Sequence, residues 1–177
     1  MRVGIGRLRA SRVPRPARLS GVRAALSRGA LAAVGLLGRN DGFLGNPQVR
    51  IPLPGALKDA AKLLKATGQQ KRVDELVTAM NRAAEAAMPE AKALLIGAVK
   101  SMSVEDARQV ITGGDNSVTQ FFAGKTREPL GVKFLPIVTK ATEKVSLASK
   151  YNAVAGKAMG LGLVKKEDAN VQQYVTG

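Results

Sequence analysis

Residues 70–88 read QKRVDELVTAMNRAAEAAM, and they decide the fold class. Val73, Leu76, Val77, Met80, Ala84 and Ala87 recur at spacings of three and four, which lays them on one face of a helix. Asp74, Thr78, Asn81 and Glu85 line the flank of that face. Gly68 precedes the stretch and Pro89 follows it. Proline suits the first turn of a next helix, with Glu90 close to its positive end. Residues 89–101 carry Leu94, Leu95, Ile96 and Val99 almost all round, the pattern of a central, buried helix.

Working outward, residues 55–67 form a short amphipathic helix. Leu57, Ala60, Ala61 and Leu64 face inward, Lys58, Lys62 and Lys65 face out, and Gly68 stops it. Residues 39–54, RNDGFLGNPQVRIPLP, break the pattern. Pro47, Pro52 and Pro54 each push the preceding residue towards extended backbone. Phe43, Leu44, Ile51 and Leu53 are apolar, so the segment reads as a proline-rich extended strap laid across the helices. Arg50 within it needs a carboxylate or carbonyl partner. Before the strap, SGVRAALSRGALAAVGLLG (20–38) places Val22, Leu26, Ala30, Ala33 and Leu37 at helical spacing, with Ser20 as cap and Gly38 as stop.

Towards the C-terminus, Ser103-Val104-Glu105-Asp106 has the form of a capping box and opens a helix ending near Gly113-Gly114. Asp115 or Asn116 caps a helix carrying Val118, Phe121 and Phe122. Pro129 begins another, running to about Val145 with a kink at Pro136. Leu147, Tyr151, Val154 and Ala158 mark a further helix, and Lys165–Tyr174 can start a last one. No repeat of fixed period is present. The expected fold is all-α: an irregular bundle of about seven to eight short helices with a proline-rich extended strap.

A chain of 177 residues supports one sizeable core. Aromatic residues make up only 3% of it, so that core is built from Leu, Val, Ile, Ala and Met. Cysteine and histidine are both absent. Disulfides, thiolate metal sites, the usual zinc ligands and Ser–His or Cys–His nucleophile pairs are thereby excluded, and no cofactor pattern is present. Nine of the fifteen net positive charges come from arginines in residues 1–40, which hold no acid. Residues 1–19 therefore read as a disordered, arginine-rich leader, and 20–177 as a single helical domain. The leader has no apolar run of export-signal length, and no stretch approaches a membrane span. A basic arm for acidic partners, a transit-type leader and a start that does not belong to the natural protein are the three readings of it, and the last is favoured.

DGFLGNPQVRIPLP (41–54), NRAAEAAMPEA (81–91), SVEDARQVITG (103–113), TQFF (119–122), KFLPIV (133–138), YN (151–152) and YVT (174–176) follow one another in an order that resembles bacterial domain-of-unknown-function family 4197. The resemblance covers roughly residues 20–176. It implies an all-helical domain carried behind a secretory or lipoprotein signal, hence the periplasm or cell envelope, and implies no established activity, substrate or cofactor. It also implies that YVT leads into another apolar helix and a basic tail. Gly177 stands there instead, so the chain reads as C-terminally short, and an apolar groove is expected where that helix would cover the core.

Arg50, Asn81, Arg82, Glu85 and Glu90 form the one polar cluster that could be a site. Asn81 and Glu85 share a face, and Arg82 and Glu85 can pair at three apart. Glu85 could act as a base or bind a cation, oriented by Arg50 or Arg82. The structural reading is favoured: a network pinning the strap to the bundle, with Glu85 satisfying Arg50 or strap amides. Gly113-Gly114-Asp115-Asn116 lacks the phosphate-loop pattern and reads as a helix stop followed by a cap. Lys58, Lys62, Lys65, Lys71 and Arg72 make a solvated face rather than a nucleic-acid surface, because recognition and stacking residues are missing beside them. Phe121 and Phe122 read as core. The functional expectation is a non-enzymatic binding or interaction module of the bacterial envelope, taking a small amphipathic ligand or a protein partner in a crevice between the strap and the 70–88 helix. Its rivals are a nucleic-acid or anionic-surface binder acting through the leader, and a carboxylate-dependent hydrolase using Glu85 and Glu90.

Overall fold

A computed structural model describes residues 15–143, 145, 148–153, 160, 162 and 170–176. Most of the described residues are helical, and none lies in a strand. Helix α1 spans Arg15–Leu37, α2 Gly55–Ala66, α3 Gln70–Lys100, α4 Val104–Thr112 and α5 Ser117–Thr142. Residues 148–153 are helical and are labelled α6, and α7 spans Val171–Thr176. The expectations for Leu147, Val154, Ala158 and the start at Lys165 fall outside the described residues.

Three boundaries differ from the sequence reading, and all involve proline. Helix α1 begins at Arg15, five residues before Ser20, so Ser20 lies inside the helix instead of capping it. Pro16 stands in its first turn, where the N–H that proline lacks has no helical partner anyway. Pro89 does not separate two helices but lies inside α3. Pro129 likewise lies inside one continuous α5, which also contains Pro136 as expected. All three internal prolines are exposed, so carbonyls released by the missing N–H groups can turn to water. Packing of both helices against each other carries them through these breaks, and propensity alone would not. The bundle therefore contains two long helices in place of several short ones.

Local chemistry sets several other ends as expected, although Asn116 stands at the start of α5 without a side-chain capping bond. Ser103 Oγ accepts from the Asp106 amide at 3.0 Å and the Asp106 carboxylate accepts from the Ser103 amide at 2.8 Å, closing the capping box. Gly68 takes a φ of +75° after α2, a left-handed conformation that glycine adopts without a side-chain penalty. Gly113 caps α4, where a Cβ would lie 2.6 Å from the Gln109 carbonyl and 2.6 Å from Ser117 Cβ. The glycine pair is a stop and a restart.

Helix α3 is the axis of the molecule. Helices α1, α2 and α5 pack along it, α4 bridges α1 and α5 at one end, and α7 leans on α5 and α3. Leu76 and Met80 are fully buried with Leu57, Ala148, Tyr151 and Val171 in one cluster. Met88 and Ala91 join Val34 in a second, with Phe43, Leu95, Leu130 and Phe134 against it. Each large buried side chain contributes on the order of 1.5–3 kcal/mol. The deepest stretch is 80–91 rather than the expected 89–101, where Leu94, Leu95 and Ile96 are only half-buried.

Residues 38–54 join α1 to α2 without regular structure. Only 50–54 is free of turns. Residues 39–49 are wound into successive turns closed by bonds such as Gly45 N to Asp41 O (3.1 Å) and Arg50 N to Asn46 O (2.9 Å). This segment is shorter and more coiled than an extended strap.

Candidate functional site: a polar clamp and an apolar groove

Asn81 and Glu85 lie one helical turn apart on α3, and both are buried. Asn81 Oδ1 accepts from the Ile51 amide at 2.8 Å, and its Nδ2 donates to the carbonyls of Ile51 (3.0 Å) and Val77 (2.8 Å). The side-chain amide thus pairs with Ile51 as a neighbouring strand would. Glu85 Oε1 accepts from the amides of Phe43 and Leu44, each at 3.1 Å. Its Oε2 accepts from Arg82 Nη1 at 2.6 Å, and Arg82 Nη2 reaches Asp41 Oδ1 at 2.8 Å. Asp41 holds a φ of 63°, a left-handed conformation that aspartate tolerates better than most residues.

Burial pushes the Glu85 carboxyl upward, but donation from Arg82, the Leu44 and Phe43 amides and the Arg82 charge together hold it below the usual carboxylate range. It stays ionised with both oxygens engaged, which makes it a poor proton acceptor. The cluster is a clamp: α3 grips the 38–54 segment at two points, and its donors and acceptors satisfy one another.

Two members of the expected cluster are not part of it. Arg50 is exposed, and the guanidinium beside Glu85 is that of Arg82. Along the extended 50–53 backbone Ile51 and Leu53 turn inward, so the alternation sends Arg50 and Pro52 to solvent. Glu90 lies more than a helical turn beyond Glu85 and pairs with Lys133 of α5 at 3.2 Å as a half-exposed surface pair. Glu85 and Glu90 therefore face different partners and form no shared carboxylate site. The basic residues Lys58, Lys62, Lys65, Lys71 and Arg72 are exposed. Among the described residues no group of acids, histidines or cysteines could hold a metal ion, and no helix is long and apolar enough to cross a membrane.

A cavity of about 640 Å³ lies beside the clamp, between α1 and α5. Both helices pack on α3 but scarcely on each other. Ala25, Gly29 and Ala33 form the α1 wall, Phe122, Leu130 and Phe134 much of the α5 wall, and Ala84 and Leu95 of α3 the floor. Phe43 and Ile51, whose amides the clamp holds, also contribute side chains, as do Val175 and Thr176 of α7. Among the described residues, Arg127 is the one charged residue in the lining. Phe122, expected in the core, is half-buried on the groove wall and meets Phe121 edge to face, ring centres 5.3 Å apart.

Most of this lining escaped the sequence reading. The available signal was the character of α1 and α5, whose apolar residues spread around the helix rather than gathering on one face. That pattern ordinarily marks burial on all sides. Here it marks helices whose outer faces remain open.

No curated protein and no solved structure matches the chain. A family model described as "Protein of unknown function (DUF4197)" matches residues 15–177, from the first turn of α1 to the end of the chain. The order of motifs from the 41–54 segment through the 174–176 triplet thus has its explanation, and the chain belongs to the DUF4197 family.

Proposed function

We propose that this domain is a non-enzymatic binding module of the bacterial envelope, which takes up an apolar or amphipathic molecule in the groove between α1 and α5. The observation that carries the reading is the groove itself. Its volume of about 640 Å³ falls in the range of about 300–1,000 Å³ usual for small-molecule sites, and its lining is mostly apolar. The clamp serves this site indirectly, because it fixes the backbone from which Phe43 and Ile51 reach the groove. The envelope assignment follows the resemblance of the motif order and is checked by fractionating cells that produce the protein.

Uptake is tested with N-phenyl-1-naphthylamine, a neutral probe that fluoresces in apolar surroundings. The natural chain should raise its fluorescence. Gly29→Leu should remove most of that signal without lowering the unfolding midpoint, because a Cβ at Gly29 meets nothing within 4 Å and the larger side chain can project into the groove. A natural chain that leaves the probe dark would sink the reading.

A further inference from the structure

We infer that the occupant of the groove is a single-chain anionic amphiphile, a long-chain carboxylate whose head group pairs with Arg127; this rests on the groove being a binding site. Among the described residues the lining contains one cation and no acid. Two other basic side chains of α5 reach acids on neighbouring helices: Lys125 lies 3.8 Å from Asp106, and Lys133 lies 3.2 Å from Glu90. Arg127 is exposed and has no acid partner among the described residues. Its guanidinium offers paired N–H donors that match the two oxygens of a carboxylate.

Other polar groups in the groove compete weakly for a head group. The Thr126 hydroxyl already donates to the Phe122 carbonyl at 2.8 Å, and that of Thr176 to the Gln172 carbonyl at 2.9 Å. Apart from the uncharged Thr119 hydroxyl, the remaining surface is aliphatic and aromatic, suited to an alkyl chain and offering no counter-charge to a cation. Charge and apolar lining thus meet in one groove, which is the pattern an anionic amphiphile requires.

The test compares dodecanoate with dodecanol, each below its aggregation limit, by titration calorimetry on the full chain. An exposed charge pair is worth up to about fivefold in affinity, so dodecanoate should bind about three- to fivefold more tightly than the alcohol. Arg127→Gln should remove that preference and leave dodecanol binding unchanged, while Gly29→Leu should weaken both ligands. Equal binding of acid and alcohol, or a preference that survives Arg127→Gln, overturns the inference and leaves the groove reading standing. If neither ligand binds, both fall. Both also fall if sedimentation shows a dimer that Gly29→Leu dissociates, because a second copy then fills the groove.

Discussion

Two neighbouring regions along helix α3 make opposite use of the same chain. In one, Asn81 and Glu85 grip the 38–54 segment through four hydrogen bonds, and Arg82 adds a fifth to Asp41. In the other, α1 and α5 diverge and leave apolar walls uncovered. In sequence the clamp side has the residues of a reactive centre, and the groove side has the residues of ordinary core filling. In three dimensions the polar groups have used up their bonding capacity on one another, whereas the apolar groove has contacts still to make. Polar residues that satisfy each other are structure; capacity to bind lies where partners are missing.

Glycines sharpen the contrast. A Cβ on Gly42 would lie 2.3 Å from the Leu37 carbonyl, and one on Gly38 would lie 2.9 Å from the Val34 carbonyl. On the groove side, Gly29 has open space around the same point. The clamp side is closely fitted, and the groove side is not.

The comparison can be broken most easily at Glu85. Glu85→Ala leaves the amides of Phe43 and Leu44 and one face of Arg82 without an acceptor, so urea unfolding should show a loss of about 3 kcal/mol. A loss below about 1 kcal/mol would mean that the clamp is ornamental. The same residue predicts a pH dependence. Its folded pKa is lowered, so its contribution is present above the ordinary carboxylate range and disappears as pH falls through the folded value. The stability gap between the natural chain and Glu85→Gln should therefore be widest near neutrality and narrow below about pH 4.3. A gap that widens in acid would reverse the sign of this argument.

Gly42→Ala should be next, at about 2 kcal/mol of destabilisation by overpacking against backbone that cannot yield. The smallest effect has the opposite sign. Gly29→Ala removes a flexible residue from a helix without crowding anything, and should stabilise by about 0.5–1 kcal/mol. Equal losses at Gly42 and Gly29 would show that the groove is closed in solution.

Much of the clamp was legible in the sequence because it is local on α3. Residues three and four apart must share a helical face, so Arg82 with Glu85, and Asn81 with Glu85, followed from spacing. Which arginine would meet Glu85 did not follow. That depends on which way residue 50 turns, and the direction is set by Ile51 docking on Asn81, thirty residues away. The groove was illegible from lining residues for a related reason. Ala25, Gly29 and Ala33 carry no chemical mark, and only the separation of α1 from α5 gives them a role.

Periodicity alone determined that this protein is helical, that α2 stops at Gly68 and that Ser103 and Asp106 open α4, because each of those outcomes is decided within a few residues. Tertiary structure alone decided that α3 and α5 run through their prolines. It also decided that Glu90 leaves the Glu85 cluster for Lys133, and that two apolar helices stand apart. Those outcomes depend on contacts between residues distant in the chain, whose combined packing energy outweighs the local cost of a proline.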